Sequence, residues 1–206
     1  MIGILDVDLG NLRSVANAIE HAGHDAVFVH AGDPLDDLTH LILPGVGNFR
    51  AAMTRLEERS LVQPLRDFAA TGRPFLGICL GMQLLASSGD EGGTGSGLGL
   101  IPGHVRRFDD ARVPTIPHVG WNGLTVLRKH PLLTKVKNGA DVYFVHSYHL
   151  EATDSADVVA TADAGQPFAA IVGRGNVVGC QFHPEKSMAS GLRIIENFCE
   201  WDGSYG

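Results

Sequence analysis

The chain has 206 residues, 44% of them hydrophobic, and a formal net charge of −7. This length fits one domain spanning residues 1–206, and the negative balance excludes a nucleic-acid surface, which needs clustered Lys and Arg. No apolar run approaches the roughly 18 residues that cross a bilayer, and Cys79, Cys180 and Cys199 form neither a CxxC pair nor a disulfide framework, which points to reducing, cytoplasmic surroundings.

Met1 to Asp6 carries no basic leader and reads as the start of a first strand, Ile2 to Val7. Asp8-Leu9-Gly10-Asn11 is a turn whose last residue can cap a helix, and Leu12, Val15, Ala16 and Ile19 follow at helical spacing to a stop at Gly23. Ala26 to Val29 and His40 to Leu43 are strand patterns, Phe49 to Glu58 and Leu61 to Ala70 are helical, and Pro74 to Ile78 is again a strand. Alternation of this kind predicts a parallel sheet with helices on both faces. From Leu98 onward strands dominate, at 105–108, 124–127, 142–145, 158–161, 168–172 and 177–182, before a last helix through Leu192, Ile195 and Phe198 or Cys199. Gly173-Arg174-Gly175-Asn176 reads as a hairpin turn. Gly89 to Gly97 is by composition a flexible loop; its Gly-x-Gly has no strand leading in, so no dinucleotide site is expected there.

The most informative stretch is Phe75-Leu76-Gly77-Ile78-Cys79-Leu80-Gly81-Met82-Gln83. A strand runs into Gly-x-Cys-x-Gly and then into a helical pattern, the setting of a nucleophile elbow with Cys in place of Ser. A lone cysteine is more often a small buried hydrophobe; the flanking glycines and the strand-to-helix change favour a nucleophile. At a helix N-terminus the dipole favours the thiolate by about 0.3–1 kcal/mol, and the Leu80 N–H faces any oxyanion beside the sulfur. Cys180 and Cys199 lie in apolar patterns and belong to the core. The base for such a thiol is sought among 10 histidines, and His183 in Gln181-Phe182-His183-Pro184-Glu185-Lys186 stands out. In extended backbone residues i and i+2 point the same way, so His183 and Glu185 project together at a strand's carboxyl end. A surface His–Glu pair is the alternative. Leu43-Pro44-Gly45-Val46-Gly47 reads alone as an ordinary Pro-Gly turn, and beside Cys79 as the second half of an oxyanion hole. The remaining histidines show no metal-ligand spacing.

LPGVG, GICLGMQLL and QFHPEKS, in that order, resemble the class I (triad) glutamine amidotransferases over nearly the whole chain. The resemblance implies a three-layer, flavodoxin-like α/β sandwich with a mostly parallel central sheet and a Cys79–His183–Glu185 triad. It also implies an oxyanion hole from Gly45, Val46 and Leu80, and glutamine contacts at Gly47, Gln83, Glu91, Ser147 and Tyr148, with no metal or organic cofactor. Leu9-Gly10-Asn11-Leu12-Arg13-Ser14, Pro117-His118-Val119-Gly120-Trp121-Asn122 and Tyr143-Phe144-Val145-His146-Ser147-Tyr148 are similar to the histidine-biosynthesis branch of that family. There the ammonia passes to a (β/α)₈-barrel cyclase in a heterodimer that makes imidazole glycerol phosphate and an aminoimidazole carboxamide ribotide. The partner-facing positions fall on Asn11, Trp121, Asn122, Tyr143 and Lys186. Asn11 is also a plain helix cap, Trp121 and Tyr143 also fit a core, and Glu91 and Lys186 are by default solvated charges. Asp8 stands where relatives usually carry glycine or a small residue. A related barrel in surface-sugar amination, a free-standing cysteine hydrolase and a catalytically silent module are the competing readings.

Overall fold

The computed structural model describes residues 1–8 and 10–205; Leu9, inside the expected N-terminal turn and motif, and Gly206 lie outside the described residues. In chain order the elements are β1 (Ile2–Leu5), α1 (Leu12–His21), β2 (Ala26–Val29), β3 (His40–Gly45), α2 (Phe49–Glu58), α3 (Val62–Ala70), β4 (Phe75–Cys79) and α4 (Leu80–Leu84). Then follow β5 (Ala86–Gly89), β6 (Gly95–Ser96), β7 (Ile101–Arg107), β8 (His118–Gly123), β9 (Thr125–Val126), β10 (Asp141–His146), β11 (Tyr148–Ala152), β12 (Val158–Asp163), β13 (Pro167–Arg174), β14 (Val177–Cys180) and α5 (Met188–Glu200).

Asparagine caps account for the starts of α1 and α2. The Asn11 side-chain oxygen accepts the Ser14 N–H at 3.3 Å, and that of Asn48 accepts the Ala51 N–H at 3.1 Å. Each helix then buries residues three and four apart: Val15, Ala16, Ala18 and Ile19 in α1; Phe49, Ala52, Met53 and Leu56 in α2. The main sheet has eight strands in the order β2-β1-β3-β4-β14-β13-β12-β9. β2, β1, β3, β4 and β14 run parallel, and β13, β12 and β9 add an antiparallel extension. Side chains alternate between two apolar clusters: Ile42, Leu76 and Ile78 join the one containing α1 and α5, whereas Leu41, Leu43 and Phe75 join the one containing α2, α3 and α4. That is a helix–sheet–helix sandwich, as expected. Among the described residues no helix is long and apolar enough to cross a membrane.

The antiparallel half holds more structure than periodicity suggested. β11-β7-β5-β6 form a second sheet, and β8 and β10 form a two-stranded ribbon. β8 lacks an apolar alternation because one of its faces is open to solvent, with Val119 and Trp121 exposed. The expected flexible loop at Gly89 to Gly97 is instead the end of a hairpin, with Ser88 opposite Ser96 and Gly89 opposite Gly95. It is also fastened to α2, since the Glu91 carbonyl accepts the Arg50 N–H at 3.1 Å. The expected turn at Gly173 to Asn176 narrows to Gly175-Asn176, because Gly173 and Arg174 still pair with β14. Asp8 adopts φ +57°, a conformation that glycine occupies without steric cost. Here Arg55 donates to the Val7 and Asp8 carbonyls and Arg59 pairs with the Asp8 carboxylate.

α4 approaches the sheet more closely than any side chain would allow. A Cβ on Gly81 would overlap the Leu43 carbonyl oxygen of β3, and one on Gly77 would stand 2.6 Å from the Gly81 carbonyl oxygen. Gly81→Ala is therefore expected to destabilise the chain by about 3 kcal/mol or more in urea unfolding, because the neighbour is backbone and cannot yield. Gly95→Ala, with open space around it, should stay within about 0.5 kcal/mol of the parent. Equal midpoints for the two would overturn this account of the close approach.

Candidate active site

β3, β4 and β14 are adjacent and parallel, so their carboxyl ends lie side by side. Gly45 ends β3 directly opposite Cys79 at the end of β4, and His183 follows β14 by three residues. The three motifs, spread from residue 43 to residue 187, thus meet at the carboxyl end of the central strands. Ligand crevices in open α/β sheets form at such ends.

Cys79 has φ +55° and ψ −110°, a conformation costing a non-glycine residue on the order of 1–3 kcal/mol. It is held there because β4 and α4 must turn sharply over Gly77 and Gly81. α4 has only five residues before β5 begins, so the macrodipole expected from sequence is reduced to one turn's worth of free N–H groups. Leu80 carries the first of these. The Cys79 sulfur is buried, and the Gln181 amide nitrogen lies 3.9 Å from it.

His183 and Glu185 are brought together, though not by extended backbone. Pro184 to Lys186 form a 3₁₀ turn, and within it His183 Nδ1 and a Glu185 carboxylate oxygen are 2.8 Å apart. The carboxylate acceptor assigns the proton to Nδ1 and leaves Nε2 unpartnered within the protein. Both side chains are buried, at 4% and 3% exposure. Burial pulls the His183 pKa down, but the neighbouring Cys79 and Glu185 outweigh it and raise it from the ordinary 6.5 to about 9. Ser187 clamps the turn: its hydroxyl donates to the His183 carbonyl at 2.6 Å and accepts the Tyr143 N–H at 2.9 Å.

A cavity of about 300 Å³ opens over the cysteine, lined by Val46, Gly47, Cys79, Leu80, Gln83, Glu91, Ser147, Tyr148 and His183 together with Pro117, Val145 and His146. Glu185 sits behind His183, outside the lining, and Gly45 is buried in β3 with Val46 and Gly47 beyond it. Glu91 is no solvated charge. Its carboxylate accepts the Phe49 N–H at 3.1 Å at the start of α2, and burial raises its pKa despite that bond. Gln83 is 4% exposed, and its nitrogen is committed to the Tyr148 carbonyl at 2.9 Å and Gln181 at 3.1 Å. Sequence reasoning passed over Gln181, although the same period-two argument that paired His183 with Glu185 puts Gln181 on the His183 side. Among the described residues no cluster of three or more His, Cys, Asp or Glu could hold a metal ion.

The positions expected to face a partner divide into exposed and committed ones. Trp121 and Tyr143 are opposite each other in the ribbon, their rings 5.8 Å apart, and Lys186 is exposed on the 3₁₀ turn. Asn122 turns inward instead, donating to the Asp163 carbonyl at 2.6 Å, and Asn11 is occupied as the cap of α1.

Residues 4–201 match the family described as "Glutamine amidotransferase class-I". The chain is 48% identical to "Imidazole glycerol phosphate synthase subunit HisH" of Desulfitobacterium hafniense (strain DSM 10664 / DCB-2), covering 98% of this chain and 94% of that one. It is 45% identical to "Imidazole glycerol phosphate synthase subunit HisH 2" of Nitrobacter winogradskyi, covering 98% of both. Among solved structures, PurLQS from Thermotoga maritima superposes with a TM-score of 0.76 at 20% identity over 97% of both chains. One described as "Crystal structure of glutamine amidotransferase" does so with 0.76 at 21%, over 98% of this chain and 99% of that one. At these identities the structural matches establish the fold.

The His183 environment has a measurable signature. Its folded pKa of about 9 lies above the ordinary 6.5, so its contribution to stability is full below about pH 6.5 and is lost as pH rises through about 9. The imidazole resonance of His183 should titrate near pH 9 in the intact protein and at clearly lower pH in Cys79→Ala, which removes one of the two groups holding it up. An unchanged midpoint in Cys79→Ala would show that the sulfur does not face Nε2.

Proposed function

This chain belongs to the glutamine amidotransferase class-I family and, within it, groups with the imidazole glycerol phosphate synthase HisH subunits, and we propose that its pocket hydrolyses glutamine to supply that synthase with ammonia. The observation that carries the reading is the buried His183–Glu185 pair beside a cysteine held at a strained strand end. The side-chain amide of glutamine lies over Cys79. His183 holds the thiol proton, Glu185 keeps the ring oriented and stabilises the imidazolium, and the sulfur attacks the amide carbon. The N–H groups of Leu80 and the Gly45-Val46-Gly47 turn receive the oxyanion; each such donor contributes about 3–4 kcal/mol to the transition state. His183 returns its proton to the leaving nitrogen, ammonia departs, and a thioester remains on Cys79. Water, deprotonated by His183, cleaves it to glutamate and restores the thiol. Gly47, Gln83, Glu91, Ser147 and Tyr148 hold the amino-acid end. For Gln83 the free group is its oxygen, since the nitrogen is already committed.

The ammonia is used on another subunit. The ribbon supports this, because Val119 (55% exposed), Trp121 (47%) and Val145 (38%) alternate on one face of β8 and β10, with Met188 (73%) in the exposed apolar set. Such a face, with an aromatic anchor, suits a protein partner. We take the partner to be the (β/α)₈-barrel cyclase, joined as a heterodimer in the cytoplasm, with Trp121, Tyr143 and Lys186 as contacts. The ribbon also reaches the triad: the Tyr143 carbonyl accepts the His183 N–H at 3.0 Å.

Cys79→Ala is expected to abolish glutamine-dependent synthesis of imidazole glycerol phosphate by the reconstituted complex while ammonia-dependent synthesis persists. If ammonia supports no reaction with any barrel partner, the chain is a free-standing hydrolase. A glutamine analogue carrying an electrophile should label Cys79 and spare Cys180 and Cys199, whose thiol pKa values burial pushes up. Glu185→Gln should lower kcat less than His183→Ala, because an amide still orients the ring without stabilising its charge. Full activity in Glu185→Gln would remove Glu185 from the mechanism.

A further inference from the structure

The Tyr148 carbonyl oxygen, beside the pocket, accepts two side-chain hydrogen bonds. One comes from Gln83 Nε2 at 2.9 Å and the other from His146 Nδ1 at 2.8 Å. A carbonyl only accepts, so the nitrogen of Gln83 must face it. The same nitrogen donates to Gln181 Oε1 at 3.1 Å. Turning the Gln181 amide over would set two donors against each other where Gln181 is 0% and Gln83 4% exposed, and a dry site makes an unpaired or opposed polar group costly. The Gln181 amide is thereby oriented with Nε2 toward Cys79 Sγ, 3.9 Å away. An N–H aimed at sulfur stabilises a thiolate, which only accepts, more than a thiol, which must also place its own proton.

We propose that Gln181 is a positioning residue that holds Cys79 in its thiolate form, its own amide locked by Gln83 and the Tyr148 carbonyl. The proposal rests on the reading of Cys79 as the nucleophile. A purely structural Gln181 would fill space and satisfy Gln83 without affecting the sulfur's charge. The other ionisable groups that line the cavity with Cys79 are His183 on the 3₁₀ turn, with Glu185 behind it, His146 on β10, Tyr148 at the start of β11, and Glu91, whose carboxylate accepts the Phe49 N–H at the start of α2. Burial takes the pKa of His146 to about 3, so it is neutral and adds no charge to the sulfur's surroundings at working pH.

The test is alkylation of Cys79 by iodoacetamide between pH 5 and 10, resolved by mass spectrometry, in the intact chain and in Gln181→Met, which keeps length and volume without a donor. The rate at pH 7 should fall about tenfold in Gln181→Met, in line with the loss of a hydrogen bond to a charged group. The limiting rate at high pH, where all of the sulfur is thiolate, should be kept. In the complex with the synthase partner kcat should fall about tenfold with KM nearly unchanged. Superimposable pH profiles and an intact kcat would make Gln181 a core filler. If a glutamine-derived electrophile fails to label Cys79 even in the intact chain, the nucleophile assignment falls, which is a different result. Should Gln181→Met not fold, the Gln181 side-chain amide resonance of the unaltered, ¹⁵N-Gln-labelled protein carries the same test. It should shift as Cys79 ionises; a resonance indifferent to that ionisation would overturn the proposal.

Discussion

The structure depends on a steric constraint: α4 lies directly against the backbone of β3 and β4, with no Cβ between them at Gly77 or Gly81. That contact leaves the chain no relaxed path from β4 into α4, and Cys79 absorbs the turn at φ +55°. It also brings the start of α4 beside the end of β3, where a Cβ on Gly45 would stand 3.1 Å from that of Leu80. The parallel pairing of β14 with β4 then delivers His183 from a distant part of the chain. Remove the contact and Gly45, Cys79 and His183 lose their common reference.

The charged part of the site is arranged by burial. An ion pair as dry as His183–Glu185 gains little net stability, because desolvating the two partners offsets most of their attraction, but removing one partner strands the other. The arrangement therefore serves to keep an imidazolium available at neutral pH. The other cysteines show the opposite environment: around Cys180 and Cys199 burial dominates and pushes the thiol pKa up. All three cysteines are buried, and of them only Cys79 lines the cavity with His183.

Most of the parallel half was legible in the residues. Helical spacing in α1 and α2, the asparagine caps and the glycine-flanked cysteine each follow from local rules, and the observed boundaries of α2 coincide with the expected ones. The second half was less legible because its strands are short, pair in separate sheets and leave one face wet. β8 carries glycine and polar residues where a buried strand would alternate, and β5, β6 and β11 gave no apolar run. At the site, the motifs pointed to Cys79, His183 and most of the residues that line the cavity, and to the pairing of His183 with Glu185. The means were not always: a 3₁₀ turn, not an extended strand, joins His183 to Glu185, and Glu91 reaches the pocket because it caps α2. Gln181 escaped notice because its partners, Gln83 and Cys79, are about a hundred residues away, and Ser187 because its clamp joins His183 to Tyr143, 44 residues away.

Tyr143 turns its ring toward solvent beside Trp121 while its carbonyl binds the His183 N–H and its own N–H binds Ser187. One half-buried residue therefore touches both the exposed ribbon face and the His183 backbone, and no rotatable side chain intervenes to take up slack. A backbone hydrogen bond tolerates only a few tenths of an ångström before it weakens. Mechanically the ribbon and the His183 backbone form a stiff coupling: a protein that grips the outside of β10 grips His183 as well, and a loose ribbon means a loosely held imidazole.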